Sequence, residues 1–357
     1  MKNLEILVGI NSYTQKDSII DYLVKRLKNK VEDIIIETNK ENTNKSLIVG
    51  INTKLKDIEP IVLSGHIDTV PPDLEKYSTN PLTLTQQQNK FYGLGSIDMK
   101  SFIAIILDNL ETIKNFSTPI IMTLTTDEET ELYCVKNTIQ KLKQLNIKPY
   151  FTIVGEPTNS MFNTTAKGCF EYKVEIFGKS CHSSKIENGI NAINIVAKII
   201  TFIENYQKEF KDLTSNCGLI TGGTIINRVP DYASIKFDVR TLNDDPQIFI
   251  NGVINKINLL KQEYLGCNIK ITKELDIMPL IFKNKEKISD LAKKLDVKID
   301  NFSGGCEAGY YQAYSGDTII FGVGDIALAH KPNEYVVLQE YKQYSKKLLK
   351  LIMLLQK

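Results

Sequence analysis

The stretch PIVLSGHIDTVPP, residues 60–72, decides the fold of this chain. It opens with a compact apolar run, which predicts a buried strand over residues 60–63, and it continues into His66 and Asp68. Residues two apart at a strand end point to the same side, so the Asp68 carboxylate can orient the His66 imidazole, an arrangement typical of a metal ligand. Taken alone, the triplet also fits a core histidine with a local hydrogen bond.

The succession of an apolar strand and a polar side chain recurs further along the chain. Strands are predicted over residues 120–124, 150–154 and 318–321, and the loop GLGSIDMK, residues 93–100, precedes a predicted helix. The side chains that follow these strands, or lie in this loop, are Asp98, Glu128, Glu129, Glu156 and His330. In open α/β sheets ligands bind beyond the carboxyl ends of the strands, so these side chains are predicted to meet in one site.

The alternation of strands and helices predicts an α/β domain with a mostly parallel central sheet. A central stretch differs, because alternating strands flank a long helix over residues 192–206 in an α+β pattern. A length of 357 residues also exceeds the usual limit of a single hydrophobic core. We therefore predict a discontinuous catalytic domain of residues 1–166 and 276–357 and an inserted domain of residues 167–275.

Composition argues against several classes of protein. The 44 basic and 42 acidic residues leave a net charge of +2 and form no basic block, so nucleic acid is not an expected partner. No apolar run approaches the roughly 18 residues of a membrane span, and the amino terminus lacks the apolar segment of a signal peptide. A cytoplasmic protein without a membrane partner is the expectation.

The candidate residues form a mixed nitrogen and oxygen ligand set, which suits zinc or cobalt. Two imidazoles and three carboxylates are too many for one tetrahedral zinc ion that keeps an open position. If one carboxylate bridges, the same five ligands serve two metal ions. The remaining acid, Glu128, is then free to act as a general base.

Four motifs resemble those of the M20 metallopeptidase family and follow its order: SGHIDTVP (64–71), GLGSIDMK (93–100), DEET (127–130) and GEPT (155–158). The resemblance covers essentially the whole chain. Within the family, YGLG (92–95), GKSCHSS (178–184) and GDIALAHKPNEY (324–335) are most similar to the acetylornithine deacetylases. The resemblance implies a zinc-peptidase-like catalytic domain and an inserted domain that forms a homodimer and closes over the site as a lid.

The resemblance also implies two metal ions with five ligands: His66 and Glu156 on one ion, Glu129 and His330 on the other, and Asp98 bridging both. Asp68 then supports His66, and Glu128 is the general base. Two departures from the family pattern remove no ligand: Ser101 replaces a usual glycine, and Cys181 replaces a small residue.

In the inserted domain, the resemblance implies that His182 helps to hold the oxyanion of the reaction, typically in the partner subunit's site. Asn227, in GGTIINR (222–228), and Arg240, in FDVR (237–240), match positions that bind the substrate carboxylate. An arginine suits this role because its planar fork binds a carboxylate through two hydrogen bonds.

These roles predict hydrolysis of the amide bond of an N-acyl amino acid, and N-acetylornithine is the predicted substrate, giving ornithine and acetate as in arginine biosynthesis. Glu307, in GGCEAG (304–309), aligns with a glutamate of acetylornithine deacetylases and is predicted to pair with the side-chain ammonium of the substrate. A solvated surface charge is the alternative for Glu307. Acetylcitrulline, acetyl-lysine, succinyl-diaminopimelate and small peptides are alternative substrates.

Two functions of other classes fit the sequence less well. A non-catalytic dimeric binding protein would be expected to lose Glu128 or a metal ligand, and all of them are present. A dinuclear phosphoesterase could use similar ligands, but this arginine-poor, nearly neutral chain offers no obvious phosphate clamp.

Overall fold

The structure is a computed structural model that describes residues 1–38 and 44–356. The helices are α1 (Lys2–Gly9), α2 (Lys16–Leu27), α3 (Lys100–Asp108), α4 (Leu110–Lys114), α5 (Tyr133–Gln144), α6 (Ala192–Tyr206), α7 (Pro246–Glu263), α8 (Lys285–Leu295), α9 (Ala308–Ser315) and α10 (Leu338–Leu354). Within the described residues, no helix combines the length and the apolar composition that crossing a membrane requires.

The strands are β1 (Asp33–Thr38), β2 (Lys45–Gly50), β3 (Ile61–His66), β4 (Thr85–Gln87), β5 (Lys90–Tyr92), β6 (Ile120–Thr125), β7 (Phe151–Val154), β8 (Phe162–Ala166), β9 (Gly168–Phe177), β10 (Thr214–Gly222), β11 (Tyr232–Thr241), β12 (Asn268–Ile277), β13 (Leu280–Ile281), β14 (Ile299–Phe302), β15 (Thr318–Ile320) and β16 (Tyr335–Val337).

The chain divides into two compact units. The larger unit joins Met1–Ala166 to Leu280–Lys357, and the smaller unit is Lys167–Pro279. The domain boundary drawn from the sequence after residue 275 falls inside β12, because that strand continues to Ile277 along β9. The lid and dimerisation roles of the smaller unit stay predictions.

The main sheet of the larger unit has the order β1-β2-β6-β3-β7-β15-β8-β13, and β14 also pairs with β8. Its centre is parallel, since β6, β3, β7 and β15 all run in the same direction, and antiparallel pairs lie on both sides of this centre. Every residue of β3, β6, β7 and β15 is buried, as expected for parallel strands covered on both faces. The predicted α/β fold with a mostly parallel centre is confirmed.

The register of the parallel strands brings their carboxyl ends to one edge of the sheet. Residue Ile61 of β3 lies opposite Ile120 of β6 and Phe151 of β7, so the three strands start level. The segments after β3, β6 and β7 therefore leave the sheet side by side, at the edge where α/β folds bind ligands.

Close packing beneath this edge restricts the backbone. The Phe102 ring of α3 contacts the Tyr344 ring, and their centroids are 6.5 Å apart. Tyr344 in turn contacts the Phe321 ring, with a centroid distance of 4.9 Å. A Cβ atom at Gly155, directly after β7, would lie 2.1 Å from the Phe102 ring. Only glycine fits here, because any side chain at this position would overlap the ring.

The smaller unit is an antiparallel sheet of order β10-β11-β9-β12 with α6 and α7 packed on one face. Side chains of β9 alternate: Tyr172, Val174 and Ile176 are buried in the shared core, and the residues between them are partly exposed. The Asn191 side chain caps α6 by accepting a hydrogen bond from Asn194 N at 3.1 Å.

Candidate active site

Asp98 lies at the centre of the candidate site. Its Oδ1 atom is 2.9 Å from His66 Nε2, and its Oδ2 atom is 3.2 Å from His330 Nε2. Each oxygen therefore faces a different imidazole. Burial alone would raise the pKa of Asp98, but the hydrogen bonds with His330 and His66 lower it well below its usual value.

One group of possible ligands consists of His66, Asp98 and Glu156. His66 ends β3, its side chain is 1% exposed, and its Nε2 lies 3.7 Å from Glu156 Oε1. Burial would lower the pKa of His66, but Asp68, Asp98 and the charge of Glu156 raise it well above its usual value. Burial, together with the charge of Asp98, also raises the pKa of Glu156.

The second group consists of Asp98, Glu129 and His330. His330 Nε2 lies 3.0 Å from Glu129 Oε1, and the His330 side chain is 53% exposed. The possible ligand atoms within each group lie within 4.8 Å of one another, and Asp98 belongs to both groups.

Asp68 ties the ends of two neighbouring strands together. Its backbone oxygen lies 3.1 Å from His66 Nδ1, and its Oδ1 atom lies 3.5 Å from the same nitrogen. The carboxylate also accepts hydrogen bonds from the backbone N–H groups of Glu128 and Glu129, at 3.4 and 3.2 Å. Asp68 thus orients the imidazole mainly through its carbonyl, while its carboxylate fixes the segment after β6.

Glu128 lies beside these groups and belongs to neither of them. Burial raises the pKa of Glu128 well above its usual value, and the nearby charge of Glu156 raises it further. A carboxylate with a raised pKa accepts a proton more readily at neutral pH, which is the property of a general base.

The donor atoms fit two divalent metal ions. Each group offers one imidazole nitrogen and two carboxylates, a combination that zinc binds. The carboxylates also outnumber the histidines, and the resulting repulsion is what raises the pKa values of Glu128 and Glu156 beyond the effect of burial. A cation would relieve this repulsion.

Glu307 lies beneath the site, where its side chain is buried and only 1% exposed. Its carboxylate accepts hydrogen bonds from Ser64 Oγ of β3, at 3.0 Å, and from Thr125 Oγ1 of β6. A solvated surface charge does not describe such a residue. Both oxygens contact hydroxyl groups of the sheet, and the pairing with a substrate ammonium stays a prediction.

The predicted residues of the smaller unit fall into two places. His182 and Asn227 are exposed on adjacent segments, joined by a hydrogen bond from Ser183 N to Asn227 O at 3.1 Å. His182 Nδ1 contacts Ser184 Oγ at 2.8 Å. Arg240 lies near the other end of β11, where its Nε donates to Asp238 Oδ2 at 2.9 Å.

Sequence reasoning assigned no role to Glu334, although it lies in the same motif as His330. The side chain is 3% exposed and contacts the loop that carries Asp98. A glutamate four residues after a candidate ligand is a weak signal, because a glutamate in a loop is usually solvated.

Comparison with known proteins agrees with this geometry. Residues 62–354 match the model of peptidase family M20/M25/M40. The chain belongs to this family. It is 32% identical to acetylornithine deacetylase of Buchnera aphidicola subsp. Schizaphis graminum over 96% of this chain and 92% of that protein. It is 30% identical to acetylornithine deacetylase of Aliivibrio salmonicida over 92% of this chain and 91% of that protein.

Among solved structures, a tripeptidase from Staphylococcus aureus superposes with a TM-score of 0.77 at 20% identity and covers 99% of this chain and 96% of its own. This similarity concerns the fold. Membership in the M20 family makes the chain a metallo-hydrolase that acts on amide bonds, which confirms the predicted enzyme class.

Proposed function

We propose that this M20 metallo-hydrolase removes the acyl group from an N-acyl amino acid, with N-acetylornithine as its substrate. The observation that carries the proposal is the pair of ligand groups that share Asp98, with Glu128 beside them. The choice of substrate is supported by the acetylornithine deacetylases that match the chain over more than nine tenths of its length.

The side chains act in sequence on one water molecule and one amide. Two divalent ions, zinc or cobalt, held by the two groups would polarise the carbonyl and increase the acidity of water. Glu128 takes a proton from the attacking water and later returns it to the departing amine. Asp68 keeps Glu128 in place through the backbone N–H group of that residue.

Replacing Glu128 with glutamine tests this mechanism. Glu128→Gln keeps the size of the side chain but removes the base, so turnover should fall roughly a hundredfold or more while two metal ions still bind. Metal content measured on the same samples separates a lost base from a lost metal. Full activity of this variant would refute the assignment of Glu128.

A panel of amides tests the substrate. The enzyme, loaded with zinc or with cobalt, is given N-acetylornithine, acetylcitrulline, acetyl-lysine, succinyl-diaminopimelate and a small peptide. We expect the highest kcat/KM for N-acetylornithine. A preference for a peptide or for an uncharged side chain would contradict the proposed substrate but not the hydrolytic class.

We also propose that the enzyme works as a homodimer. Arg240 is eight residues from Tyr232 on one strand, which is roughly 26 Å at about 3.3 Å per residue, and His182 lies beyond the Tyr232 end. His182 and Arg240 of one chain are therefore too far apart to contact the same small substrate. Two copies of the chain can supply one each.

Mixed dimers test this arrangement. His182→Ala and Arg240→Ala are each expected to be nearly inactive. If the two variants are mixed under conditions that exchange subunits, half of the dimers pair them, and one site of each such dimer is intact. About a quarter of wild-type activity should return. A mixture that stays as inactive as its components would contradict the homodimer proposal.

A further inference from the structure

Glu334 is a buried acid that contacts the loop of the bridging ligand. Its Oε2 accepts a hydrogen bond from Gly95 N at 3.0 Å. Its Oε1 accepts from Ile97 N at 2.5 Å and from Asp98 N at 3.0 Å. One carboxylate thus gathers three backbone N–H groups from four consecutive residues, and the third of them belongs to Asp98 itself.

The same residue is joined to the segment that carries His330. Glu334 O accepts a hydrogen bond from Gly93 N at 3.0 Å, and the next residues form β16, which pairs with β5 just before the Asp98 loop. Both the backbone and the side chain of Glu334 therefore hold the two ligand segments against each other, although 232 residues separate Asp98 from His330 (330 − 98).

The loop also packs against Lys100, which is fully buried and donates to Ile10 O at 3.1 Å. Gly95 has a φ of +74°, and a Cβ atom there would lie 2.9 Å from Lys100 Cδ. The loop is thus held both by packing against Lys100 and by the Glu334 carboxylate, and the positive φ of Gly95 suits glycine.

We propose that Glu334 is a positioning residue for the metal site. It fixes the backbone of Asp98 relative to His330 before any ion binds, so that the two oxygens of Asp98 face different histidines. This inference rests on the proposed two-metal function. The two oxygens of the Glu334 side chain supply acceptors to three backbone donors that the loop would otherwise bury unpaired.

Glutamine cannot replace this carboxylate. An amide has one oxygen, and its NH2 group must face either Gly95 N–H or the pair of N–H groups from Ile97 and Asp98. Two donors would then point at each other inside the protein. Glu334→Gln should loosen the loop and leave every metal ligand in the chain.

Asp212 provides a matched control in the smaller unit. Its carboxylate accepts hydrogen bonds from the backbone N–H groups of Leu242, Asn243 and Asp244, at 3.2, 2.8 and 3.1 Å. Asp212→Asn therefore removes the same kind of contact from a loop that carries no proposed metal ligand. Its Tm should fall, and its metal affinity should stay that of the wild type.

The experiment measures zinc affinity by competition with a chelator for wild type, Glu334→Gln and Asp212→Asn, at a temperature where all three are folded. We expect two zinc ions in the wild type and a roughly 10- to 100-fold loss of affinity in Glu334→Gln. The loss should be larger for the ion held by Asp98, Glu129 and His330, because Glu334 holds the segments of two of these ligands.

Equal zinc affinity of Glu334→Gln and wild type, with two ions bound to each, overturns the inference and leaves the proposed function standing. An equal loss in Asp212→Asn also overturns it, since the effect would then be general destabilisation. A wild type that binds no zinc or cobalt overturns the proposed metal site, and the role of Glu334 with it.

A measurement on the wild type decides the matter if Glu334→Gln fails to fold. Amide hydrogen exchange of the metal-free protein should be slow at Gly95, Ile97 and Asp98, because Glu334 already accepts their hydrogen bonds. Fast exchange at these amides, becoming slow only after zinc is added, would mean that the metal orders the loop, and the inference would be wrong.

Discussion

Glu307→Gln tests how a buried acid affects the stability of the site. The buried Glu307 carboxylate contacts the hydroxyl groups of Ser64 and Thr125, and burial raises the pKa of Glu307 from 4.5 to about 7. The difference of about 2.5 pKa units (7 − 4.5) corresponds to roughly 3 kcal/mol between the protonated and the ionised side chain.

The sign of the pH dependence follows from the raised pKa. Below about pH 4.5 the acid is protonated in both the folded and the unfolded chain, and its full contribution to stability is present. This contribution is lost as the pH rises through about 7, because the unfolded chain ionises first. At pH 8 wild-type Glu307 therefore carries a cost of up to roughly 3 kcal/mol that it lacks at pH 4.5.

Glutamine at this position has no charge to bury, and the two hydroxyl groups can rotate to donate to its oxygen and accept from its NH2 group. We expect Glu307→Gln and wild type to unfold at similar temperatures near pH 5. At pH 8 the variant should be more stable by several degrees, at roughly 2–4 °C per kcal/mol.

The assay is thermal unfolding of metal-free protein from pH 5 to pH 8, with Glu131→Gln, at an exposed glutamate, as the control. A Tm difference between Glu307→Gln and wild type that does not change with pH would refute the reasoning. Kinetics of the same variant test the predicted contact with substrate. A loss of kcat/KM confined to N-acetylornithine, and absent for an uncharged N-acetyl amino acid, would mean that Glu307 binds the ammonium group.

Three further predictions concern other parts of the molecule. His182→Ala should lower kcat and leave the metal content intact, and unchanged turnover would exclude His182 from the reaction. Gly155→Ala should lower the free energy of unfolding by about 1–3 kcal/mol, because the added Cβ would overlap the Phe102 ring. Gly9→Ala is the control and should be close to neutral, because the nearest atom to its added Cβ is 3.9 Å away. Chemical denaturation of both variants measures the difference. Removing the metal ions with a chelator should lower Tm. Zinc at a hundredfold excess over its Kd should restore about 2.7 kcal/mol for each site that it fills, measured by the same unfolding, and a Tm insensitive to zinc would contradict a folded-state metal site.

The sequence predicts the centre of the fold well because local pattern and tertiary structure agree there. Apolar runs without alternation indicate strands buried on both faces, and β3, β6 and β7 are such strands. Once the strands are parallel and level, the residues after them must meet at one edge. The proximity of His66, Glu129 and Glu156 follows from that rule.

Other features depend on contacts that local sequence does not encode. The Glu334 carboxylate reaches Asp98 N across 236 residues, and the environment of Glu307 arises from two strands more than 180 residues away. In both cases a glutamate in a loop predicts solvent exposure, and the folded chain buries it. The positions of His182 and Arg240 at opposite ends of β11 also require the register of the sheet.

Three acids that are not in the ligand groups hold the candidate site together. Asp68 joins the segments after β3 and β6, and Glu307 joins those two strands near their carboxyl ends. Glu334 joins the Asp98 loop to the His330 segment. Each of these carboxylates accepts hydrogen bonds from backbone N–H or hydroxyl groups. These contacts are made between protein groups alone, so they can bring the five proposed ligands together through the fold. Substitution of a supporting acid should therefore weaken metal affinity without changing the number of ions bound, whereas substitution of a ligand should change that number.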